Sequence, residues 1–322
     1  MAGRFTPRTP DGPRGVPAPR AAGRTRTWTP PGPLDLSLVL GPLRRGPADP
    51  TYRTTPDGAV WRASRTPAGP ATLRVAARDG SAHAEAWGPG AQWMLDQLPA
   101  MLGELDDPDA FEPRHRLVAE THRARPGLRL TRTGLVLESL IPSVLEQKVT
   151  TDEAYRAWRL LVRKYGEPAP GAPEGMHVMP DPRTWALIPS WEWHRAGVDS
   201  KRSATILRAV RVARRMEEAA TMTPQAAAER LHLIPGIGPW TSAETLQRAI
   251  GAADLVTVGD LHLPGIIGHA LAGNRHADDT EMLALLEPYA GQRHRATRLI
   301  LLSGHTPPRR APRLQPRNIA AL

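Results

Sequence analysis

The chain has 322 residues, room for two domains of ordinary size, with 40% of them hydrophobic and 23% charged, a balance that supports a well-buried globular core. It contains no cysteine, which excludes disulfide frameworks, thiolate nucleophiles and thiolate-held zinc or iron–sulfur centres. The formal net charge of +10 is concentrated at the ends: six arginines against one aspartate in residues 1–27, and four arginines with no acid in residues 303–322.

Basic ends suit contact with a polyanion, although solubility alone also accounts for them. No apolar run reaches the roughly 18 residues of a membrane helix, and the first residues lack the apolar stretch of a secretory signal. The expectation is a cytoplasmic protein with no membrane association.

Residues 1–27 are rich in Pro, Gly and Arg and poor in aliphatics, so they bury too little to offset their ordering entropy and read as a disordered basic tail. Residues 306–322 read the same way. Residues 28–112 form the first folded unit. In it Ala59-Val60-Trp61-Arg62-Ala63 and Ala71-Thr72-Leu73-Arg74-Val75 read as strands, with Pro56-Asp57-Gly58 and Pro67-Ala68-Gly69-Pro70 as turns. His83-Ala84-Glu85-Ala86-Trp87 adds a third strand, and Trp93, Met94, Leu95, Leu98, Met101 and Leu102 recur at helical spacing. The unit is a small α+β module with no evident chemistry.

Residues 113–305 are mostly helical. Leu137, Ile141, Val144, Leu145 and Val149 make one apolar face, interrupted by Pro142; Tyr155, Trp158, Leu161, Val162 and Tyr165 make the next. A looser stretch carries Trp185, Trp191 and Trp193. Ile206, Val210 and Ala213 form an inner stripe under a basic outer face of Lys201, Arg202, Arg208, Arg211, Arg214 and Arg215, which reads as a solvated surface.

The informative segment follows. Thr223-Pro224 reads as an N-cap and a first-turn proline, and Ala226 to His232 make a short helix. The run Pro235-Gly236-Ile237-Gly238 breaks it, and a second helix starts near Pro239 and ends at Gly251. Paired glycines let the backbone turn with positive φ and approach a ligand closely. The N–H groups of Gly236, Gly238 and the first turn of the next helix then face a phosphate without intrahelical partners. An ordinary helical hairpin is the alternative. Further on, DLVTVGD at 254–260 is an apolar lead-in, a glycine break and Asp260, which by itself reads as a helix N-cap.

Together these stretches resemble the helix-hairpin-helix superfamily of DNA glycosylases, and within it the bacterial 3-methyladenine-DNA glycosylase II family. The resemblance rests on ESLIPSVLEQKVT at 138–150, similar to the family's helix that reaches into the duplex, on LIPGIGPWT at 233–241, similar to its hairpin, and on the segment ending in Asp260. It runs from about residue 127 to 302 and is fainter over 28–111, where the family has a TATA-binding-protein-like α+β domain.

What the resemblance implies is a base-excision-repair enzyme that flips an alkylated purine of the 3-methyladenine or 7-methylguanine type out of duplex DNA and hydrolyses its N-glycosidic bond. Asp260 would be the catalytic carboxylate, stabilising an oxocarbenium-like sugar. One carboxylate suffices, because an alkylated purine already carries the charge that makes it leave. Trp240 stands where lyase-type relatives carry a Schiff-base lysine, so no strand cleavage is expected. It would offer an aromatic face to a cationic base, or pack the hairpin as a core residue. Gln147 would reach the flipped or opposite base.

Lys148 replaces the family's apolar wedge and would touch phosphate or fill the gap with its stem. Gly236, Ile237, Gly238, Thr241 and Ser242 would hold the DNA backbone. Glu244 and Leu301 replace aromatic pocket residues. Glu244 either favours positively charged lesions or faces solvent, and His262 is placed to tune Asp260. No metal and no cofactor are expected, and duplex DNA is the expected partner of a monomer acting at the nucleoid. The alternatives are a non-catalytic helix-hairpin-helix DNA-binding protein, a glycosylase with lyase activity, and a metal-dependent nuclease using Asp254 and Asp260.

Overall fold

A computed structural model describes residues 22–308, so the tail expectations for 1–21 and 309–322 lie outside the described residues. The architecture is mixed, with an antiparallel sheet followed by a mostly helical body. The sheet consists of β1 (Arg24–Trp28), β2 (Tyr52–Thr54), β3 (Val60–Thr66), β4 (Gly69–Arg78) and β5 (Ser81–Trp87), in the order β1-β5-β4-β3-β2. β1 begins inside the stretch read as a tail. Its residues are mostly exposed, but pairing with β5, with Arg24 opposite Ala86 and Trp28 opposite Ala82, satisfies the backbone where composition alone predicts none.

Period-2 alternation explains both faces of the sheet. Ala71, Leu73 and Val75 of β4 and Ala82, Ala84 and Ala86 of β5 point to one side, where helix α2 (Ala91–Met101) covers them with Met94, Leu95, Leu98 and Met101. The other side carries Trp61, Ala63 and Trp87, with the two indoles stacked 5.3 Å apart under a short hairpin of β6 (Glu167–Pro168) and β7 (His177–Val178). The sheet is therefore buried on both faces, and its second cover comes from the helical region.

The helical body divides into two hydrophobic clusters. The larger is built on α4 (Val136–Leu145), α5 (Thr151–Tyr165), α6 (Pro182–Leu187), α7 (Ser190–Arg195), α8 (Ser200–Arg211), α9 (Ala213–Glu217), α10 (Pro224–His232) and α11 (Pro239–Ala249). α4 continues through Pro142 and is not broken there. Thr150 caps α5 in a reciprocal box with Glu153. Trp158, Trp185 and Trp193 stack in series at 6.4 and 5.7 Å, while Trp191 of the same stretch lies outside, exposed.

The second cluster joins α3 (Arg116–Ala124), which the sequence pattern does not announce, to α12 (Leu263–Ala272), α13 (Asp279–Leu286) and α14 (Arg293–Leu302). A short α1 (Leu36–Leu40), capped by Asp35, sends Leu38 onto this cluster, so the first unit touches both halves of the helical body. Among the described residues, no helix is long and apolar enough to cross a membrane.

Candidate active site

Thr223 accepts from the backbone N–H of Ala226 and Pro224 occupies the first turn of α10, so this helix starts with the expected cap. The chain then turns through residues 233–238 into α11. Of the two glycines only Gly236 is left-handed, at φ +100; Gly238 is extended, at φ −110 and ψ −173, and serves as the N-cap of α11. The expectation of paired positive-φ glycines is corrected accordingly. A Cβ on Gly236 would meet Thr205 Oγ1 at 2.1 Å, whereas one on Gly238 would meet nothing within 4 Å. Gly236→Ala is therefore expected to cost about 1–3 kcal/mol of stability and Gly238→Ala less than about 0.5 kcal/mol, measured by urea unfolding of both variants beside the wild type.

The remaining hairpin residues face inward. Ile237 is buried in the larger core and its N–H closes the turn onto the carbonyl of Ile234. Thr241 and Ser242 are buried; Ser242 Oγ donates to the carbonyl of Pro239 and lies 2.9 Å from His232 Nε2. Their side chains are not available to a ligand, so the direct contacts expected of them reduce to backbone ones. The N–H groups of Gly236 and Gly238 have no acceptor among the described residues.

Gln147 also departs from expectation. Its amide donates to the carbonyl of Gly236, at 2.9 Å, and to Thr241 Oγ1, at 2.8 Å, and thus braces the hairpin without lining a cleft. Lys148 beside it is exposed and holds φ +55, a conformation unusual for a side-chain-bearing residue. Strain of this kind marks a position whose direction the surroundings impose.

Asp260 sits between the hairpin and α12. Its Oδ1 accepts from the N–H groups of His262, at 2.8 Å, and Leu263, at 2.9 Å, the N-cap and first residue of α12, so Asp260 precedes the N-cap it was expected to be. Its Oδ2 accepts from the indole Nε1 of Trp240 at 2.9 Å. Three donors in fixed positions orient this carboxylate. Trp240 neither lines the cleft nor merely fills the core, since its polar tip holds the acid. Gly259, left-handed at φ +84, makes the bend before Asp260, and its N–H donates to the carboxylate of Asp279. His262 meets Asp260 through its backbone alone among the hydrogen bonds present, and it is exposed.

Asp260 lines a cleft of about 230 Å³ with Glu244, Arg248, Thr257, Arg298 and Leu301 among its walls. An apolar cavity of about 150 Å³ accepts benzene, so this cleft matches one bicyclic base. Glu244 does not face solvent. Its Oε2 takes Arg248 Nη1 at 2.7 Å and its Oε1 takes the hydroxyl of Thr257 at 3.0 Å, while Gln247 donates to Thr257 and to the carbonyl of Leu255. The extra acidity expected from Glu244 is thus neutralised within the wall. Leu301 covers one side and remains 42% exposed.

Another wall is α14, of which the sequence reading picked out Leu301 but not His294, Thr297 or Arg298. His294, Thr297, Arg298 and Leu301 all line the cleft, and their i, i+3, i+4, i+7 spacing is a helical face that the sequence displays openly. Asp254 positions this wall. Its Oδ1 accepts from the N–H and Nε of Arg293 and its Oδ2 from Nη2, while the carbonyl of Ala253 receives the N–H of His294. Asp254 is therefore engaged with Arg293 and is not a partner of Asp260.

Partial burial pushes the Asp254 carboxyl up, and the hydrogen bonds from Arg293 outweigh that and hold it below its ordinary value. A depressed acid contributes stability above its unfolded pKa and loses it as pH falls through the folded one. Asp254→Asn is expected to cost about 1 kcal/mol at neutral pH, discounted for its partial exposure. Wild type and variant should converge in denaturant titrations as the pH falls below the ordinary aspartate range and through the lowered pKa.

No protein-family model matches the sequence, and no curated relative does. Solved structures do match. The chain overlays a 3-methyladenine DNA-glycosylase from Archaeoglobus fulgidus with a TM-score of 0.71 and 14% identity, over 87% of this chain and 98% of that one. It overlays MBOgg1, solved with a low-affinity DNA ligand, with a TM-score of 0.69 and 13% identity, over 88% and 96%. The apo form of an 8-oxoguanine glycosylase/lyase from Clostridium acetobutylicum follows at 0.67 and 10% identity, over 87% and 96%.

Its fold is that of the helix-hairpin-helix DNA glycosylases.

At such low identity the likeness carries the fold and leaves chemistry to the site. The fold nevertheless explains why residues distant in sequence converge: α11, the Asp260 loop and α14 line the same opening, with Glu244 of α11 in its wall and Trp240, one turn earlier, holding Asp260 from outside it.

Proposed function

We propose that the chain is a DNA glycosylase that takes a damaged purine out of duplex DNA and hydrolyses its N-glycosidic bond. The observation that carries this reading is Asp260, a carboxylate fixed by three donors, one of them Trp240 in the first turn after the hairpin, and opening onto a base-sized cleft. In this reading the N–H groups of Gly236 and Gly238 take a phosphate, and Lys148 meets the strand next to it. The base leaves the stack for the cleft. As the bond to the sugar breaks, Asp260 stabilises the positive charge developing there and orients the attacking water.

A monofunctional enzyme is the form we favour. A lyase needs an amine to form a Schiff base with the sugar. The chain has three lysines, Lys148, Lys164 and Lys201, and none lines the cleft. Trp240 occupies the position after the hairpin and binds Asp260 instead. The five-stranded sheet with one helix on its face supports the TATA-binding-protein-like reading of the first unit. The relative solved as a 3-methyladenine DNA-glycosylase makes alkylated purines the first substrates to try.

The test is incubation of the full chain with methylated duplex and with a panel of other damaged duplexes, with released bases identified by mass. Release of a base, without a borohydride-trapped covalent complex, is the expected result; no release from any duplex overturns the reading. Duplex affinity should fall steeply with salt, and Gly238→Ala should weaken it with little change in stability, because a methyl there obstructs only an approaching ligand.

A further inference from the structure

The charges around the cleft are unequal in their partners. Glu244 and Arg248 satisfy one another, and the nearby Arg295 is paired with Asp106. Arg298 has no carboxylate partner among the described residues. Of its five N–H donors, a single one is engaged, with the carbonyl of Leu38 at 2.8 Å. Burial, helped by the charges of Arg248 and Arg295, brings its pKa down to about 10, which leaves it a cation at neutral pH. One turn earlier on α14, His294 lines the same cleft; burial holds its ring neutral, and its Nδ1 has no partner.

A half-buried guanidinium that lines a cleft with open donors is a ready partner for an acceptor that enters there. A positively charged base is the poorer fit on the α14 side, since it would enter beside a cation with no carboxylate partner; of the two carboxylates lining the cleft, Glu244 is neutralised by Arg248 and Asp260 is held only by neutral donors. A neutral base does serve where one edge carries an exocyclic carbonyl next to a ring nitrogen with a free lone pair. A guanidinium reads that pair of acceptors with two parallel N–H groups.

We propose that Arg298 is the specificity-determining residue of the cleft, and that the preferred lesion is a neutral deaminated purine of the hypoxanthine type, with a carbonyl at C6 and an unmodified N7. The proposal rests on the glycosylase reading and narrows its substrate class away from cationic alkylated purines. It also supplies what a neutral leaving group needs. When the bond between C1′ and N9 breaks, the electron pair departs with the purine, and Arg298 stabilises the negative charge spread over N7 and the C6 oxygen. The oxygen of water bonds to C1′ beside Asp260, and the proton it gives up ends on the purine, which leaves as a neutral base.

The test uses single-turnover release from duplexes holding one hypoxanthine or one 7-methylguanine, with wild-type chain, Arg298→Met and Arg298→Lys. Wild type should release hypoxanthine at least tenfold faster than 7-methylguanine. Arg298→Met should lower hypoxanthine release ten- to hundredfold and leave 7-methylguanine release within about threefold, with Arg298→Lys between wild type and Met. Wild type preferring 7-methylguanine overturns the assignment without any variant, and so does an equal loss of both activities in a folded Arg298→Met. Failure to release either base from these duplexes, or any base from the wider panel, instead overturns the glycosylase reading beneath it.

Discussion

Asp260→Asn is expected to lower base release by about 10³-fold while leaving duplex affinity within about twofold. The range follows from what a positioned acid–base group and an electrostatic stabiliser of a developing charge contribute, about 10² to 10⁴. The substitution is conservative for structure. An Asn oxygen still accepts from the N–H groups of His262 and Leu263, so the turn into α12 survives. Only the bond from Trp240 Nε1 is lost, because the amide nitrogen facing it is also a donor. The variant should therefore stay folded and bind, which separates loss of chemistry from loss of structure. Single-turnover excision with equilibrium binding checks this; a variant that keeps more than a tenth of the wild-type rate removes Asp260 from the mechanism.

Glu138→Ala is expected to destabilise the chain by about 3–5 kcal/mol. Glu138 belongs to the stretch whose sequence resembles a helix directed at DNA, yet its carboxylate turns away from any such face. It receives Arg62 Nη2 and the hydroxyl of Ser64 on one oxygen and the N–H of Arg65 on the other, joining α4 to β3. Arg62 and Glu138 are both buried, at 6% and 8% side-chain exposure. Truncating the acid leaves a buried guanidinium whose other contact is the sulfur of Met101. A small offset comes from Glu217, which caps α4 through Val136 and Leu137. Burial, with the charge of Glu138 adding to it, raises the Glu217 pKa, so removing Glu138 relieves it. Urea unfolding should show the loss; a change under 1 kcal/mol would mean that the two units do not depend on this ion pair.

The legible parts of this protein are those governed by neighbours in sequence. The strands around Trp61, Leu73 and Ala84 follow from alternation. Thr223 and Pro224 announce α10, and the break after residue 233 announces the hairpin. Asp260 is readable as a residue leading into a helix, although the N-cap position of α12 falls to His262, two residues later, and Asp260 only receives the N–H groups of His262 and Leu263. β1 was hidden because its order comes from pairing with β5, nearly 60 residues away, and not from its own composition. α3 carries Val118 and Thr121 as its only buried residues, too thin an apolar stripe to stand out.

The site shows the same division more sharply. The sequence by itself determined which residue types were on hand: a lone carboxylate after a glycine, an indole after the hairpin, a glutamate one turn on. Only the tertiary structure decided that the indole holds the carboxylate, that Glu244 is cancelled by Arg248, and that Arg298 is left with open donors. The reason is physical. A polar side chain in a half-buried wall takes whichever partner the packing of two helices brings within 3 Å. That choice depends on how α11, α12 and α14 settle against their shared cores, not on the local pattern of any one of them.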